Sequence, residues 1–419
     1  MSNDWNSLDN AAIIFPAAAG RADTQVFRIS CELNDRVDPE ILQYALDETM
    51  QVFRVYQSVL RRGLFWYYLE SSDLSPIVHL ENSQPCGPIY NPNRKKLLFD
   101  VSYYKSRINL EVYHVLSDGT GALNFLKTLL IKYLSMAHHV DEPPLPFDAS
   151  AVQMNDDSFR RYYTGTLDVK RKLPGSACQL HGPRYPEDRI KIITGTVGLG
   201  PLKEAAHKHN ATLTVFLCAC LLEAISASVS AQQKKDPIVL AVPVDLRQHF
   251  PSASVRNFFS ILLVGYDYTN HSGSFEDVIK KVSDDFKDGL SQENLSKWID
   301  SNSAIEHLMV TRATPLFLKN LALRAAYKYT MGKDTAGFSN IGIISMAPEL
   351  TPFIRSFDFY SGTNKMQVCM CSFKDKLSIS FTSPFVSSEI QRRFFRILTG
   401  LNADVEITTN HAGDGKGEI

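Results

Sequence analysis

The segment from Ile108 to Leu134 constrains this chain more than any other part of it. Ile108, Leu110, Val112 and His114 alternate with Asn109, Glu111, Tyr113 and Val115, a period of two that predicts a strand. The strand runs into Ser117-Asp118-Gly119-Thr120-Gly121, a turn-forming cluster with Asp-Gly at its centre. Beyond it, Leu123, Leu126, Leu130 and Leu134, with Phe125, Leu129 and Tyr133 beside them, predict an amphipathic helix. His114 therefore sits at a strand end, among apolar neighbours and just before a tight turn. An imidazole held there is shielded from bulk water and can be approached from one side, which suits a general base. The alternative is a buried His satisfied by a backbone carbonyl, next to an ordinary Asp-Gly turn.

Composition narrows the partners. The 419 residues, 44% hydrophobic and 21% charged, can bury large cores and predict two or three domains' worth of chain. A net charge of -1 argues against nucleic acid as a main partner, because phosphate binding needs a basic surplus. No apolar run is long enough for a transmembrane segment, and the acidic stretch Met1 to Asp9 lacks the basic and apolar regions of a signal peptide. Seven cysteines show no paired metal spacing; Cys218/Cys220 and Cys369/Cys371 lie inside apolar runs and read as buried thiols. The expectation is a reduced, cytoplasmic protein. His138-His139 with Asp141 lies at a helix end and reads as a solvated cap, so no metal is expected.

In order, Asn10 to Gly20 reads as a lead-in and loop, and Gln25 to Leu33 as a strand. Asp38 caps a helix that has Pro39 at its first position, with an apolar face of Leu42, Ala45, Leu46, Met50 and Phe53. Leu60 to Leu69 reads as a hairpin turning at Gly63, and Leu97 to Tyr104 as a strand. A Pro- and Gly-punctuated connector follows, from Pro143 to Pro186, with a short helix expected within Arg160 to Arg171. The second half opens with a strand at Arg189 to Val197 and a helix over Leu202 to His209. Thr212 or Thr214 caps a long apolar helix, and Ile238 to Pro243 is a continuous apolar strand expected to be buried on both faces. Further helices are predicted from Ser274, over Glu293 to Met309, over Pro315 to Tyr329 and over Ser388 to Leu398. Strands are predicted at Gly342 to Ser345, Lys365 to Phe373 and Leu377 to Phe381.

The pattern His114-x-x-x-Asp118-Gly119 resembles the motif of the acyltransferase superfamily that includes chloramphenicol acetyltransferase, plant BAHD enzymes and peptide-synthetase condensation domains. Tyr113 stands where many members carry a second His. Pro243-Val-Asp245-Leu-Arg247 resembles the Pro-x-x-x-Arg segment of the second half, and Arg256-Asn257-Phe-Phe the Gly-Asn element after it, with Arg in place of Gly. In that superfamily the motif Asp turns away from substrate and pairs with an Arg. Arg247 is the candidate here, since a carboxylate beneath an apolar channel is costly unless paired; otherwise Arg247 is a surface residue at a helix start. Ser339-Asn340-Ile-Gly342 resembles the Ser-Asn-x-Gly element of the wax-ester and alcohol acyltransferase branches. As polar groups in a turn, Ser339 and Asn340, together with Tyr113, are the oxyanion-donating or substrate-positioning candidates, or else a plain turn. Ile341 replaces the second Gly of a hydrolase elbow, so Ser339 is not read as a nucleophile. The aromatic string Gly63 to Glu70 adds a likeness to bacterial alcohol acetyltransferases, and the whole resemblance runs from Phe27 to about Leu398.

The resemblance implies an α/β fold of two chloramphenicol acetyltransferase-like domains, mixed sheets flanked by helices, set in a V with a channel between them. The expected boundaries are 1–180 for the N-terminal domain, 181–405 for the C-terminal domain and 406–419 for a mobile tail. The implied activity is transfer of an acyl group, acetyl above all, from coenzyme A to a hydroxyl or amine acceptor. His114 would be the general base, with Asp118 and Gly119 completing the motif. Acyl-CoA would be the co-substrate, with no metal. The alternatives are a condensation-type enzyme taking its acyl group from a carrier protein, and a non-catalytic binding protein of the same fold.

Overall fold

The structure is a computed structural model and describes residues 5–145, 149–166, 175–186, 189–307 and 314–410. The expectations for 411–419, and for the ends of the segments reaching Arg171 and Met309, lie outside the described residues. In the first half the strands are β1 (Trp5–Ser7), β2 (Val26–Leu33), β3 (Ser58–Arg62), β4 (Tyr67–Ser71), β5 (His79–Leu80), β6 (Phe99–Tyr104) and β7 (Arg107–Tyr113). In the second they are β8 (Lys191–Gly198), β9 (Ile238–Asp245), β10 (Phe259–Tyr266), β11 (Ala336–Ile343), β12 (Ile354–Ser361), β13 (Gln367–Phe373), β14 (Lys376–Ser383) and β15 (Val405–Thr409). The longer helices of the first half are α1 (Pro39–Val52) and α2 (Gly119–His138). Those of the second are α3 (Leu199–Lys208), α4 (Leu213–Ser226), α5 (Phe275–Gly289), α6 (Gln292–His307), α7 (Leu316–Thr330) and α8 (Glu389–Thr399).

Two mixed sheets carry the fold. The first has the order β12-β2-β7-β6-β5, the second β10-β9-β11-β13-β14-β8-β15, and a small antiparallel sheet β1-β4-β3 stands apart. Each large sheet has its own apolar core. One gathers around Phe27, Leu110, Phe125 and Leu129, the other around Phe216, Leu221, Phe338 and Ile379. Helices supply the other side of each core: α1 buries Leu42, Ala45, Leu46 and Met50, and α4 is buried along nearly its whole length. Local chemistry starts both helices. Asp38 accepts the amides of Glu40 and Ile41 at 2.9 and 3.2 Å, and Thr212, rather than Thr214, accepts that of Val215 at 3.3 Å.

The halves are not closed on themselves. β12 comes from the second half of the chain but pairs antiparallel with β2, so it completes the first sheet. Its Phe357 packs on Phe373 of β13 at 5.1 Å, and Cys369, Cys371 and Phe373 belong to the first core. The expected division at residue 180 thus separates the chain but not the sheets. Likewise Val405–Thr409, placed mostly in the expected tail, is a strand paired with β8.

Three other local expectations are corrected. Gly337 to Gly342, expected as a turn, is most of β11, held between β9 and β13 in parallel ladders. A Cβ at Gly337 would lie 1.7 Å from the Gln367 side-chain oxygen, so a larger residue there would need that flexible side chain to swing aside. β9 is not buried on both faces: Ile238, Leu240 and Val242 are buried in the second core, while Val239, Ala241 and Pro243 on the other face are half-covered. The expected loop before Gly20 is helical, with a 3₁₀ turn at Ala11–Ile14 and an α-turn at Phe15–Ala18. All seven cysteines are free and buried. No single helix among the described residues is long and apolar enough to cross a membrane.

Since β12 binds the two cores together, Phe357→Ala should cost about 3–5 kcal/mol, the usual cost of emptying a buried Phe site. It should do so within one cooperative urea transition seen by both fluorescence and circular dichroism; two separated transitions would show that the halves unfold independently.

Candidate active site

The turn after β7 meets the end of β9 and the loop of residues 246–258 that leads into β10, through hydrogen bonds from Ser117, Asp118 and Thr120. The turn is held by close approach. Gly121 cannot be any other residue without displacing this loop, because a Cβ would come within 2.1 Å of the Val255 carbonyl oxygen and 2.3 Å of Ser117 Oγ. Ser117, fully buried, donates its hydroxyl to that same carbonyl.

Asp118 is the N-cap of α2. Its Oδ1 accepts the Gly121 amide at 2.9 Å, and its Oδ2 accepts both Arg247 Nη1 at 2.9 Å and the Phe258 amide at 2.8 Å. Both carboxylate oxygens are thereby filled, at 4% exposure. Arg247 is satisfied as fully. It donates to Asp118, to Asp245 Oδ1 at 2.9 Å, to the Ser254 carbonyl at 3.0 Å and to the Arg256 carbonyl. Burial works against its charge, but Asp118 and Asp245 outweigh burial and hold it protonated. Thr120 Oγ1 adds a 2.9 Å bond to Asp245 Oδ2, so residues of the motif and of the β9 end lock together twice.

His114 follows β7 directly, and its amide donates to the Gln25 carbonyl at 2.9 Å. The ring is half-buried and sits among Phe15, stacked at 4.7 Å, Phe27 at 4.9 Å and Phe259 at 5.5 Å. Its Nδ1 lies 3.1 Å from Asn257 Oδ1. Burial among these rings lowers the imidazole pKa below its ordinary 6.5, against the opposing pull of Asn257 and Asp118, so the ring is neutral at physiological pH.

The other expected site residues lie in different places. Gly119 abuts β11: a Cβ there would lie 3.2 Å from Ile341 Cγ2. Phe338 is in the second core and Asn340 donates to Thr214 Oγ1 at 3.2 Å, so both face the helices of the second half. Ser339 therefore shares the opposite face of β11 with Ile341, towards the motif, while Asn340 is spent on Thr214 and on the Gly342 amide at 2.9 Å. Tyr113 alternates to the far side of β7 from His114; it is fully buried and stacked on Tyr90 at 5.6 Å. Burial raises its phenol pKa, and no substrate-facing role is visible.

Sequence reasoning noted Asn257 only as part of a likeness and missed Asp9, Ser117 and Gly121. The doubled glycine of Asp118-Gly-Thr-Gly121 was a readable sign of crowding; Asp9, separated from His114 by more than a hundred residues, had none. No group of three or more His, Cys, Asp or Glu suited to a metal occurs among the described residues. A cavity of about 520 Å³ lies beside the segment that leads into β2, lined by Arg21, Thr24, Cys86, Ile190 and Gly362 among others; His114, Asp118 and Ser339 are not in its lining.

Comparison with solved structures places this arrangement in a known architecture. F. graminearum TRI101, solved with coenzyme A and deoxynivalenol, superposes with a TM-score of 0.66 at 9% identity, over 96% of this chain and 99% of that one. The fold is that of the chloramphenicol acetyltransferase-like acyltransferases. The trichothecene 15-O-acetyltransferase TRI3 of Fusarium sporotrichioides matches at 0.62 with 10% identity, covering 94% of each chain. The first condensation domain of the calcium-dependent antibiotic synthetase matches at 0.60 with 15% identity, over 96% of this chain and 97% of that domain. No family model matches the chain, and no curated protein matches it by sequence.

Arg247→Met would leave a buried carboxylate without its cation. It should cost about 3–5 kcal/mol in denaturant unfolding, and adding Asp118→Asn should recover part of that loss. Unchanged stability in the single variant would mean that the pair contributes nothing.

Proposed function

We propose that this protein is an acyltransferase that moves an acyl group, acetyl in the simplest case, from coenzyme A to a hydroxyl or amine acceptor. The observation that carries the reading is His114 set among Phe15, Phe27 and Phe259 with its Nδ1 edge 3.1 Å from Asn257 Oδ1, surroundings that lower its pKa by burial. The superposition with acetyltransferases, one of them holding coenzyme A, supports it at the level of fold.

The chemistry needs little else. His114 takes the proton of the acceptor O–H or N–H as that atom attacks the thioester carbonyl. The tetrahedral adduct collapses, the C–S bond breaks, and the imidazolium returns the proton to the departing thiolate. Positive charge on the ring is transient, and the Asp118 carboxylate nearby favours it without touching substrate. Ser339, on the β11 face towards the motif, is the better candidate of its pair for donating to the oxyanion, because the amide of Asn340 is already engaged. Acyl-CoA acts as co-substrate, and the chemistry requires no metal.

A carrier-protein donor is the second reading, supported by the equally complete superposition on a condensation domain. Purified protein would be offered acetyl-CoA, or an acetyl-loaded carrier protein, with a panel of alcohols and amines, and products identified by mass spectrometry. Transfer from acetyl-CoA is expected. Transfer only from the carrier would move the assignment to the second reading, and no product with either donor would overturn both.

His114→Ala should lower transfer about 10²–10⁴-fold, the usual contribution of a general base. The pH dependence follows from the direction of the shift. The active form is the neutral ring, so kcat/KM should fall as pH drops through a midpoint below 6.5, and a midpoint at or above 6.5 would contradict a buried base.

A further inference from the structure

We infer that Asn257, clamped by Asp9 from the N-terminal segment, is a positioning residue that sets the tautomer of His114 and leaves Nε2 as its basic nitrogen. This deepens the proposed activity and rests on His114 being the base. The argument is one of donors and acceptors. Asn257 Nδ2 lies 2.9 Å from the His114 carbonyl oxygen and 3.2 Å from Asp9 Oδ2. Both partners accept hydrogen bonds, and of the two ends of an amide only the NH₂ can serve them. The amide oxygen must therefore face His114 Nδ1, 3.1 Å away. An oxygen in that position accepts, so Nδ1 carries the hydrogen; the backbone oxygens of His114 and Ser117 also act on the ring, and Asn257→Ala separates their hold from that of the amide. A neutral ring has one N–H, which leaves the lone pair on Nε2.

The clamp is built into the fold. Asn257 and Asp9 are each 1% exposed, so neither amide nor carboxylate can exchange its partners for water. Asp9 Oδ1 accepts the Ala12 amide at 2.8 Å and so caps the short helical turn that leads to Phe15, the ring stacked on His114. Arg256 Nε lies 3.6 Å from Asp9 Oδ2 and supplies its counter-charge. Burial pushes the Asp9 carboxyl up to about 6 even so, which leaves it ionised and accepting at neutral pH. Arg256 occupies the position where the resemblance leads one to expect Gly. Free imidazole populates both tautomers, and only one of them has its lone pair on the edge away from Asn257; holding that one removes a step from every turnover.

The test uses the full chain labelled with ¹⁵N at neutral pH, the His114 ring nitrogens being identified by their loss in His114→Gln. The wild-type ring should be protonated at Nδ1 and not at Nε2. Asn257→Ala should show mixed tautomers of a ring still in its folded environment, a readout that partial unfolding would not produce, and kcat for thiol release from acetyl-CoA, referred to the folded fraction seen by circular dichroism, should fall about 10–100-fold with KM little changed. Asp9→Asn should shift both readouts in the same direction, and with the wild-type spectrum it carries the test if Asn257→Ala does not fold. A wild-type ring protonated at Nε2, or a single Nδ1–H tautomer retained in Asn257→Ala, would overturn the inference. Either result with His114→Ala inactive leaves the base assignment standing. Full activity in His114→Ala with an Nδ1–H ring in the wild type would remove the base and leave the clamp.

Discussion

The rest of the site depends on the buried pair between Asp118 and Arg247. A carboxylate at 4% exposure is tolerable only because each oxygen is filled, one by the amide that opens α2, the other by a guanidinium and a backbone amide from the second half of the chain. Arg247 in turn holds the carbonyls of Ser254 and Arg256, which fixes the loop that carries Asn257. The ion pair therefore has a geometric consequence beyond its own energy. It sets the distance between the end of β7 and the start of β10, and so the position of the amide that meets the His114 ring.

Burial acts on the two charged centres in opposite ways. At Asp118 and Arg247 the charges face each other and the low dielectric strengthens their attraction. At His114 three aromatic rings surround the imidazole, and the cost of desolvating its cation dominates, which keeps it neutral. A buried ion pair and a base that rests neutral thus stand four residues apart in the chain. The division suits a reaction in which the base must be free to accept a proton while the structure beneath it stays unaltered.

Much of this was legible in residues close in sequence. The strand, turn and helix around His114 followed from periodicity, and the caps at Asp38 and Thr212 from the chemistry of helix ends. What failed was reading single residue types without their neighbours. The glycines at 337 and 342 suggest a turn, yet Gly337 lies within an inner strand opposite Gln367, and only the register of β11 against β13 reveals it. Asn340 looked available as an oxyanion donor until Thr214 was seen beside it. β12 carries no sequence mark that it will cross to the other sheet, because an edge position is defined by what it pairs with.

The sequence by itself determined the local elements, the presence of a His-and-Asp turn before a long helix, and a resemblance specific enough to name Arg247 as the partner of Asp118. The first two depend on spacing of a few residues, which backbone geometry converts directly into structure, while the pairing came from the resemblance alone. Only the tertiary structure decided which residues surround the imidazole: Phe15 and Asp9 from the N-terminal segment, Asn257 and Phe259 from the second half. The reason is that hydrogen bonds and desolvation act over a few ångströms of space, whereas these residues lie about a hundred positions or more from His114 along the chain, on either side of it.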